Sequence, residues 1–458
     1  MFTQLMAQIV YNKKVVRTTL ILLLVTQNAL GILNTFSTLF PVPPRTSIGL
    51  MTEIAALIIV VVSWMYIKHL SVFRRALHLV DYLLMLYIVF QALSLLVAPI
   101  VYQSTNFRIL LIASIQYGCT RLIVFSSKEK KILMIGISAV ALLIALASVF
   151  QVFFRDAAIA LSKMLLFGDA AYGVEWELLR GRVPHWGNLT IVFPFFFSSL
   201  YFVRKKAFLS RLYLYLGLLL IPFAFIVSNF RWITTSFIIG TGTLAVLLVR
   251  YRLIESKRLL FPIIMSFVAT TLGLVFVTTF FHYNIIDRLL LKDFDRDVTI
   301  STGRLYLYQQ AIDVFISSPV LGIGMGNYPY FVEAIIGVGY RIPLANRFSE
   351  ITRQPISSHN ELLTILAEGG AVSLLLFVWM NALIINHLIT FLRVTPIKYQ
   401  KEKTLFSLTL IVSLLMYYFY GLFENTSQNN MVVIFFIYAA SQTWLKSESI
   451  VPHFQTRK

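Results

Sequence analysis

The sequence predicts an all-α, polytopic membrane protein with about twelve transmembrane helices and one large extracytoplasmic loop containing amphipathic helices. Three observations predict it. Hydrophobic residues make up 58% of the 458-residue chain and charged residues only 13%, with a mean hydropathy of +0.79, values outside the range of an ordinary soluble domain. Apolar runs long enough to cross a hydrocarbon core of about 30 Å recur along nearly the whole length. Lys and Arg cluster between alternate runs, as the positive-inside rule requires.

The runs fall at about 18–40, 49–67, 76–100, 109–126, 132–154, 187–203, 210–229, 232–250, 259–281, 362–390, 404–423 and 430–445. The first follows Lys13, Lys14 and Arg17, is long enough to span, and lacks a convincing small-residue cleavage site; it reads as a retained helix rather than a cleaved signal. The run at 109–126 is the weakest, because Gln116, Gly118, Cys119 and Arg121 interrupt it. With the N-terminus inside, the clusters Arg204-Lys205-Lys206-Arg211 and Arg250-Arg252-Lys257-Arg258 fall on the inner side, which predicts that both termini are cytoplasmic. The net charge of +19 is then mostly this topology signal plus attraction to anionic headgroups. Nucleic-acid binding needs a soluble basic face, and none is visible. The single cysteine, Cys119, cannot form an internal disulfide and reads as a buried structural thiol. No repeat, low-complexity tract or long linker divides the chain. One transmembrane domain over 1–458, with a large outer loop at 282–361, is the simplest organisation.

Charge near or within the apolar runs comes next. Glu53, Asp81 and Arg121 are functional suspects by position, but interfacial or structural roles are the simpler reading. The outer stretch 155–186 holds Lys163, Asp169, Glu175 and Glu177 ahead of LLRGRVPHWGNLTIVF. Arg180, Arg182 and Asn188 there fit either a face toward a ligand or a solvated loop edge, and His185 reads as interfacial. Arg231, in IVSNFRWITTSF, sits in a very short outer connection with Ser228, Asn229 and neutral neighbours. A guanidinium at that depth is costly unless paired or hydrated, so it requires an anionic partner from elsewhere or snorkels to headgroups. Asp293, Asp295 and Asp297 alternate after the ninth run, but Lys292 and Arg296 interleave them and argue against a divalent cation site.

The most chemically loaded stretch runs from Ser301 to Gly370. Ser301 or Thr302 can cap a helix in which Leu305, Tyr308, Ile312 and Phe315 recur at helical spacing until Pro319; Arg304 and Tyr308, four apart, share a face. In the LGIGMGNY segment no strand precedes the glycines and the spacing is not that of a dinucleotide loop. They permit a tight turn after the helix or a close approach to a substrate. Arg341, Arg347 and Arg353, with only Glu350 for balance, suit an anionic ligand or a solvated loop. His359 and Asn360 precede the apolar run beginning at Leu362. Ser358 or Asn360 can cap that helix, placing His359 near the positive end of its dipole, where the imidazolium is disfavoured and a neutral base is kept available. Glu361 can help hold that end, Glu368 either faces the site or packs within the bundle, and Glu424 lies in an outer YGLFEN turn.

Arg304-x-x-x-Tyr308-x-x-Ala311, then Pro319-x-x-Gly322-x-Gly324-x-Gly326, then His359-Asn360-Glu361 and Gly369-Gly370, in that order, resemble the shared signature of the O-antigen ligase and O-antigen polymerase superfamily of bacterial membrane glycosyltransferases. The signature covers about 70 residues and the multispan layout nearly the whole chain; Tyr308 stands where the family more often has Trp, an aromatic in either case. The resemblance implies a GT-C-like fold in the inner (cytoplasmic) membrane with an extracytoplasmic active site. It also implies an inverting, metal-independent transfer, without cofactor or nucleotide sugar, from an undecaprenyl-pyrophosphate-linked oligosaccharide donor.

By the same resemblance Arg231 engages the lipid pyrophosphate, Arg304 stabilises it as it departs, and His359 is the general base. Arg182, Asn188, Tyr308, Asn360, Glu361 and Glu424 then contact or support the substrates. The implied partners are the lipid-linked donor, a glycan or lipid-linked acceptor, the bilayer, and chain-length-regulator or flippase proteins. Polymerisation onto another lipid-linked glycan is the leading expectation. Ligation to lipid A core, a wall acceptor or a protein is the first alternative. A flippase for lipid-linked glycans is the second, disfavoured by the large motif-bearing loop and the lack of two similar halves.

Overall fold

The computed structural model describes residues 22, 78–98, 105–122, 126–154, 156–160, 187–199, 208–227, 231–253, 256–280, 294–328, 331–332, 358–394, 401–423 and 427–443. Among them there is no strand. The larger helices are α1 (Leu79–Val97), α2 (Thr105–Leu122), α3 (Ser127–Phe153), α4 (Gly187–Ser199), α5 (Phe208–Val227), α6 (Arg231–Arg250), α7 (Ser256–Phe280), α8 (Phe294–Ser317), α9 (Glu361–Val394), α10 (Lys401–Gly421) and α11 (Ser427–Thr443). From the third run onward each predicted apolar run coincides with a helix. The first two runs, with Glu53, lie outside the described residues apart from Leu22.

Five of these helices are long and apolar enough to cross a membrane: α1, α3, α6, α9 and α10. Shorter apolar segments lie within α4, α5, α7 and α11. The described residues are thus all-helical and include helices able to cross a membrane. Lipid offers backbone amides and carbonyls no partners, so a spanning segment must close its hydrogen bonds internally. Pro194 in α4 and Pro222 in α5 remove one such bond each, which a membrane helix tolerates when its neighbours cover the gap.

The helices bury one large apolar core. α4 packs between α3 and α10, α11 runs along α2, α1 lies against α9, and α6 leans on α10. Phe193, Phe195 and Phe196 of α4, Phe225 of α5, and Phe406 of α10 are fully enclosed, and Phe225 stacks on Phe237 of α6 at 4.3 Å between centroids. α8 differs from the rest. It packs on α9 through a second, smaller cluster of Ala311, Val314, Ile323, Tyr328 and Ala367, while Leu305 and Ile316 are exposed.

Helix ends follow the capping rules. Ser126 caps α3 through a reciprocal box with Glu129: the Ser126 backbone N–H donates to Glu129 Oε2 at 2.7 Å and Glu129 N–H to Ser126 Oγ at 3.4 Å. Lys131 of α3 pairs with Glu402 of α10 at 2.5 Å, which sets the N-termini of these two helices side by side. α8 begins at Phe294, seven residues before the start expected from Ser301 or Thr302; those residues lie inside the helix.

Asp81 and Arg121, suspects by position, form a structural pair. Arg121 donates from Nε to Asp81 Oδ1 at 3.1 Å and from its terminal nitrogen to Oδ2 at 3.0 Å. Tyr117 donates to Oδ1 at 2.5 Å and the His78 backbone N–H to Oδ2 at 2.7 Å. A carboxylate only 3% exposed is thus fully served, as burial of charge demands. Replacing Tyr117 with Phe should cost about 1.5–3 kcal/mol, the range for a hydrogen bond to a charged group, read as a lower unfolding temperature in detergent. Cys119, one turn away, is buried and takes part in no disulfide.

Candidate active site

The polar corner ahead of α9 is built from four consecutive residues. Asn360 is the helix N-cap: its Oδ1 accepts from Leu363 N–H at 3.1 Å, and its carbonyl accepts from Thr364 N–H at 2.9 Å. Ser358, the other candidate cap, holds the corner from outside the helix. Its hydroxyl donates to the Asn360 carbonyl at 2.8 Å, accepts from Asn360 N–H at 3.2 Å, and lies 2.6 Å from the Thr364 hydroxyl. Between them His359 adopts a left-handed backbone, φ +50°, a conformation that non-glycine residues rarely keep without surrounding restraint. His359 is half-buried. The imidazole is thereby presented from a corner whose neighbours on both sides are tied down.

Asn360 also reaches across the bundle, its Nδ2 donating to the Leu422 carbonyl at 3.2 Å. This bond ties the start of α9 to the end of α10. Glu361 is buried, and Tyr417 of α10 donates to its Oε1 at 3.4 Å. Beside it opens a cleft of about 280 Å³ lined by Glu361, Leu362, Leu415, Tyr417, Tyr418, Phe419, Gly421 and Leu422. The His-Asn-Glu motif therefore divides its labour: His359 at the corner, Asn360 as cap and strut, Glu361 turned into the bundle.

The glycine motif is explained by a break in α9. At Gly370 the backbone turns to φ +70°, ψ −177° and the helix is interrupted. Interruption frees carbonyls that a membrane protein cannot leave unserved. The segment after α8 serves them: Ile323 N–H donates to the Ala367 carbonyl at 3.1 Å and Gly324 N–H to the Glu368 carbonyl at 2.9 Å. Ser94 of α1 adds a second bond to the Glu368 carbonyl at 2.7 Å. In return Ala371 N–H donates to the Pro319 carbonyl at 2.8 Å. Side chains would forbid this approach. A Cβ on Gly322, at φ +68°, would stand 2.3 Å from the Glu368 carbonyl carbon, and one on Gly370 2.2 Å from the Val320 oxygen. Of the two sequence readings of these glycines, the tight turn after the helix holds, and the close approach is to the chain's own broken helix where a substrate was expected.

The other predicted site residues are placed unevenly. Arg231 is the first residue of α6, Arg304 lies on α8 two turns into that helix's described length, and Asn188 is in the first turn of α4. Tyr308, four residues after Arg304, is partly buried. Arg182 and Glu424, like Arg180, His185 and the arginines at 341, 347 and 353, lie outside the described residues. What the sequence reading missed is Ser94 and Tyr328. Ser94 sits in an apolar run with nothing to mark it; Tyr328 follows the third glycine of the motif, and its N–H donates to the Glu368 carboxylate at 3.3 Å.

This order of elements, an arginine-bearing helix, a glycine clasp and a histidine corner on a broken apolar helix, coincides with a known family. Its model, described as O-antigen ligase, matches residues 214–378. Over that stretch the chain is similar to O-antigen ligases. The O-antigen ligase segment takes in α6, α8, the clasp, the histidine corner and the first half of α9, so Arg231, Arg304, Tyr308, His359, Asn360 and Glu361 all fall within it; Arg182, Asn188 and Glu424 do not. A comparison with curated proteins finds no match. The stretch similar to O-antigen ligases is thus set among apolar helices long enough to cross a membrane.

Proposed function

We propose that the protein transfers a glycan from a polyprenyl pyrophosphate, undecaprenyl pyrophosphate in bacteria, to an acceptor sugar hydroxyl on the extracytoplasmic face. The observation that carries this reading is the corner at His359: a base-capable side chain held at the N-terminal end of a membrane helix, with the arginine-bearing α8 clasped to the same helix.

The chemistry is a single displacement. The acceptor oxygen forms a bond to the anomeric carbon as the bond from that carbon to the pyrophosphate oxygen breaks, which inverts the centre. The acceptor proton passes to the neutral imidazole of His359, and the electron pair leaves on the pyrophosphate. Guanidinium groups suit that developing charge because they grip phosphate oxygens with paired donors. Arg304 and Arg231 take this role. Arg231 stands at the positive end of the α6 dipole, where a cation is disfavoured and an anion favoured; a bound pyrophosphate answers both. No metal or nucleotide sugar enters the step.

Arg304→Lys keeps the charge but not the paired donors, and kcat should fall about 10–100-fold, equivalent to roughly 1.4–2.7 kcal/mol of transition-state stabilisation. Chelation should leave the rate unchanged; loss restored by magnesium or manganese would overturn the metal-free step.

The acceptor decides between two readings. We place polymerisation first, in which the growing chain passes to the next lipid-linked repeat unit. The description of the matching family as a ligase favours the second, transfer to a lipid core, wall or protein acceptor. Purified protein reconstituted with a lipid-pyrophosphate-linked oligosaccharide as sole substrate separates them. A ladder of longer lipid-linked glycans is expected. Product formed only after a core lipid or protein acceptor is added would establish the ligase, and movement of the donor across the bilayer without any new glycosidic bond would sink both in favour of a flippase.

A further inference from the structure

Resting on this reading of the site, we propose that Glu368 is a positioning residue: with Tyr328 it forms a brace that sets the arginine-bearing α8 against the histidine corner of α9. Glu368 touches no substrate in this account. It is a buried carboxylate, 4% exposed, on the turn of α9 just before the break at Gly370. Its carboxylate accepts from Tyr328 N–H at 3.3 Å and from the backbone N–H of Gly326. Tyr328, 1% exposed, then donates from its hydroxyl to the Leu307 carbonyl of α8 at 3.3 Å. Leu307 is one turn beyond Arg304. An unbroken line of hydrogen bonds thus runs from α9, two turns below His359, to the turn of α8 that follows Arg304.

The surroundings make this line stiff. The Glu368 carbonyl is held by Gly324 N–H and Ser94 Oγ, and the ring of Tyr328 is packed with Ala311, Val314 and Ala367. The remaining bonds of the clasp fix backbone to backbone between the loop and α9. The Glu368–Tyr328 pair continues into α8 through the Tyr328 hydroxyl. A catalytic base and an arginine on different helices work together only if their spacing is fixed, since an error of about 1 Å can cost a hundredfold in rate. A carboxylate is well suited to the task, because it accepts from two amides of one turn and thereby fixes that turn's orientation.

The test uses the full chain with Cys119 replaced by Ser and spin labels on cysteines at Gln309 of α8 and Leu422 at the histidine corner, both exposed. Transfer from the lipid-pyrophosphate donor is measured on the same preparations. Glu368→Ala should lower kcat about a hundredfold with little change in the donor KM and should broaden the label distance distribution. Glu368→Gln, whose amide oxygen still accepts from both N–H groups, should restore most of the rate and the narrow distribution. Should Glu368→Ala fail to fold, Tyr328→Phe removes only the hydroxyl bond to Leu307 and should lower kcat and broaden the distances in the same direction.

Wild-type rates and distances in Glu368→Ala or Tyr328→Phe would overturn the brace. So would a Glu368→Gln variant as slow as Glu368→Ala with wild-type distances, because that result assigns the residue a charge or a proton rather than a position. If the unsubstituted protein transfers nothing from any lipid-pyrophosphate donor, the functional reading fails, and the label distances still decide the brace.

Discussion

Replacing His359 with Asn should lower kcat by about 10²–10⁴, the contribution of a positioned general base, while the protein inserts, folds and binds its donor as before. Asparagine is the right replacement because it tolerates the left-handed backbone that this position adopts, φ +50°; alanine there would add strain and confuse loss of chemistry with loss of the corner. Steady-state kinetics with a lipid-pyrophosphate-linked oligosaccharide checks it. A His359→Asn protein with the native rate would remove His359 as the base.

Gly370→Ala is expected to have the largest effect on stability. The residue sits at φ +70°, where any side chain costs about 1–3 kcal/mol in backbone strain alone. The new Cβ would also stand 2.2 Å from the Val320 oxygen and 2.7 Å from the Leu321 nitrogen, inside any tolerable contact. The clasp must open to admit it, giving up the bonds from Ile323, Gly324 and Ala371. Loss should therefore exceed the strain figure, with a marked fall in unfolding temperature and loss of transfer together. Gly118→Ala is the internal control: a Cβ there meets nothing within 4 Å, and the substitution improves helix propensity. Similar behaviour of the two variants would show that the clasp does not hold the broken helix.

Much of this was legible in the chain. The helix at α9 announced itself by an apolar run preceded by Ser, His and Asn, and capping chemistry is local: Asn360 needs only the amide of Leu363 three residues on. The resemblance carried by Arg304, the spaced glycines and the His-Asn-Glu triplet was legible for the same reason, since each piece is short and ordered. The early start of α8 at Phe294 was not, because Ser301 and Thr302 offered a cap that the chain leaves inside the helix. The partners of Asp81 and Glu368 were hidden altogether. Asp81 meets Arg121 across 40 positions, Tyr328 meets Glu368 across 40, and Ser94 meets the Glu368 carbonyl across 274.

The sequence by itself determined that the chain is rich in helices able to cross a membrane, where most described helices lie, and which short motifs resemble a known family, because hydropathy, periodicity and capping act between residues a few positions apart. Only the tertiary structure decided what the glycines approach, which carboxylates are structural, and how a histidine on one helix is held against an arginine-bearing helix. A broken helix in a membrane leaves carbonyls that must be served. The groups that serve them come from wherever the fold brings a bare backbone close enough.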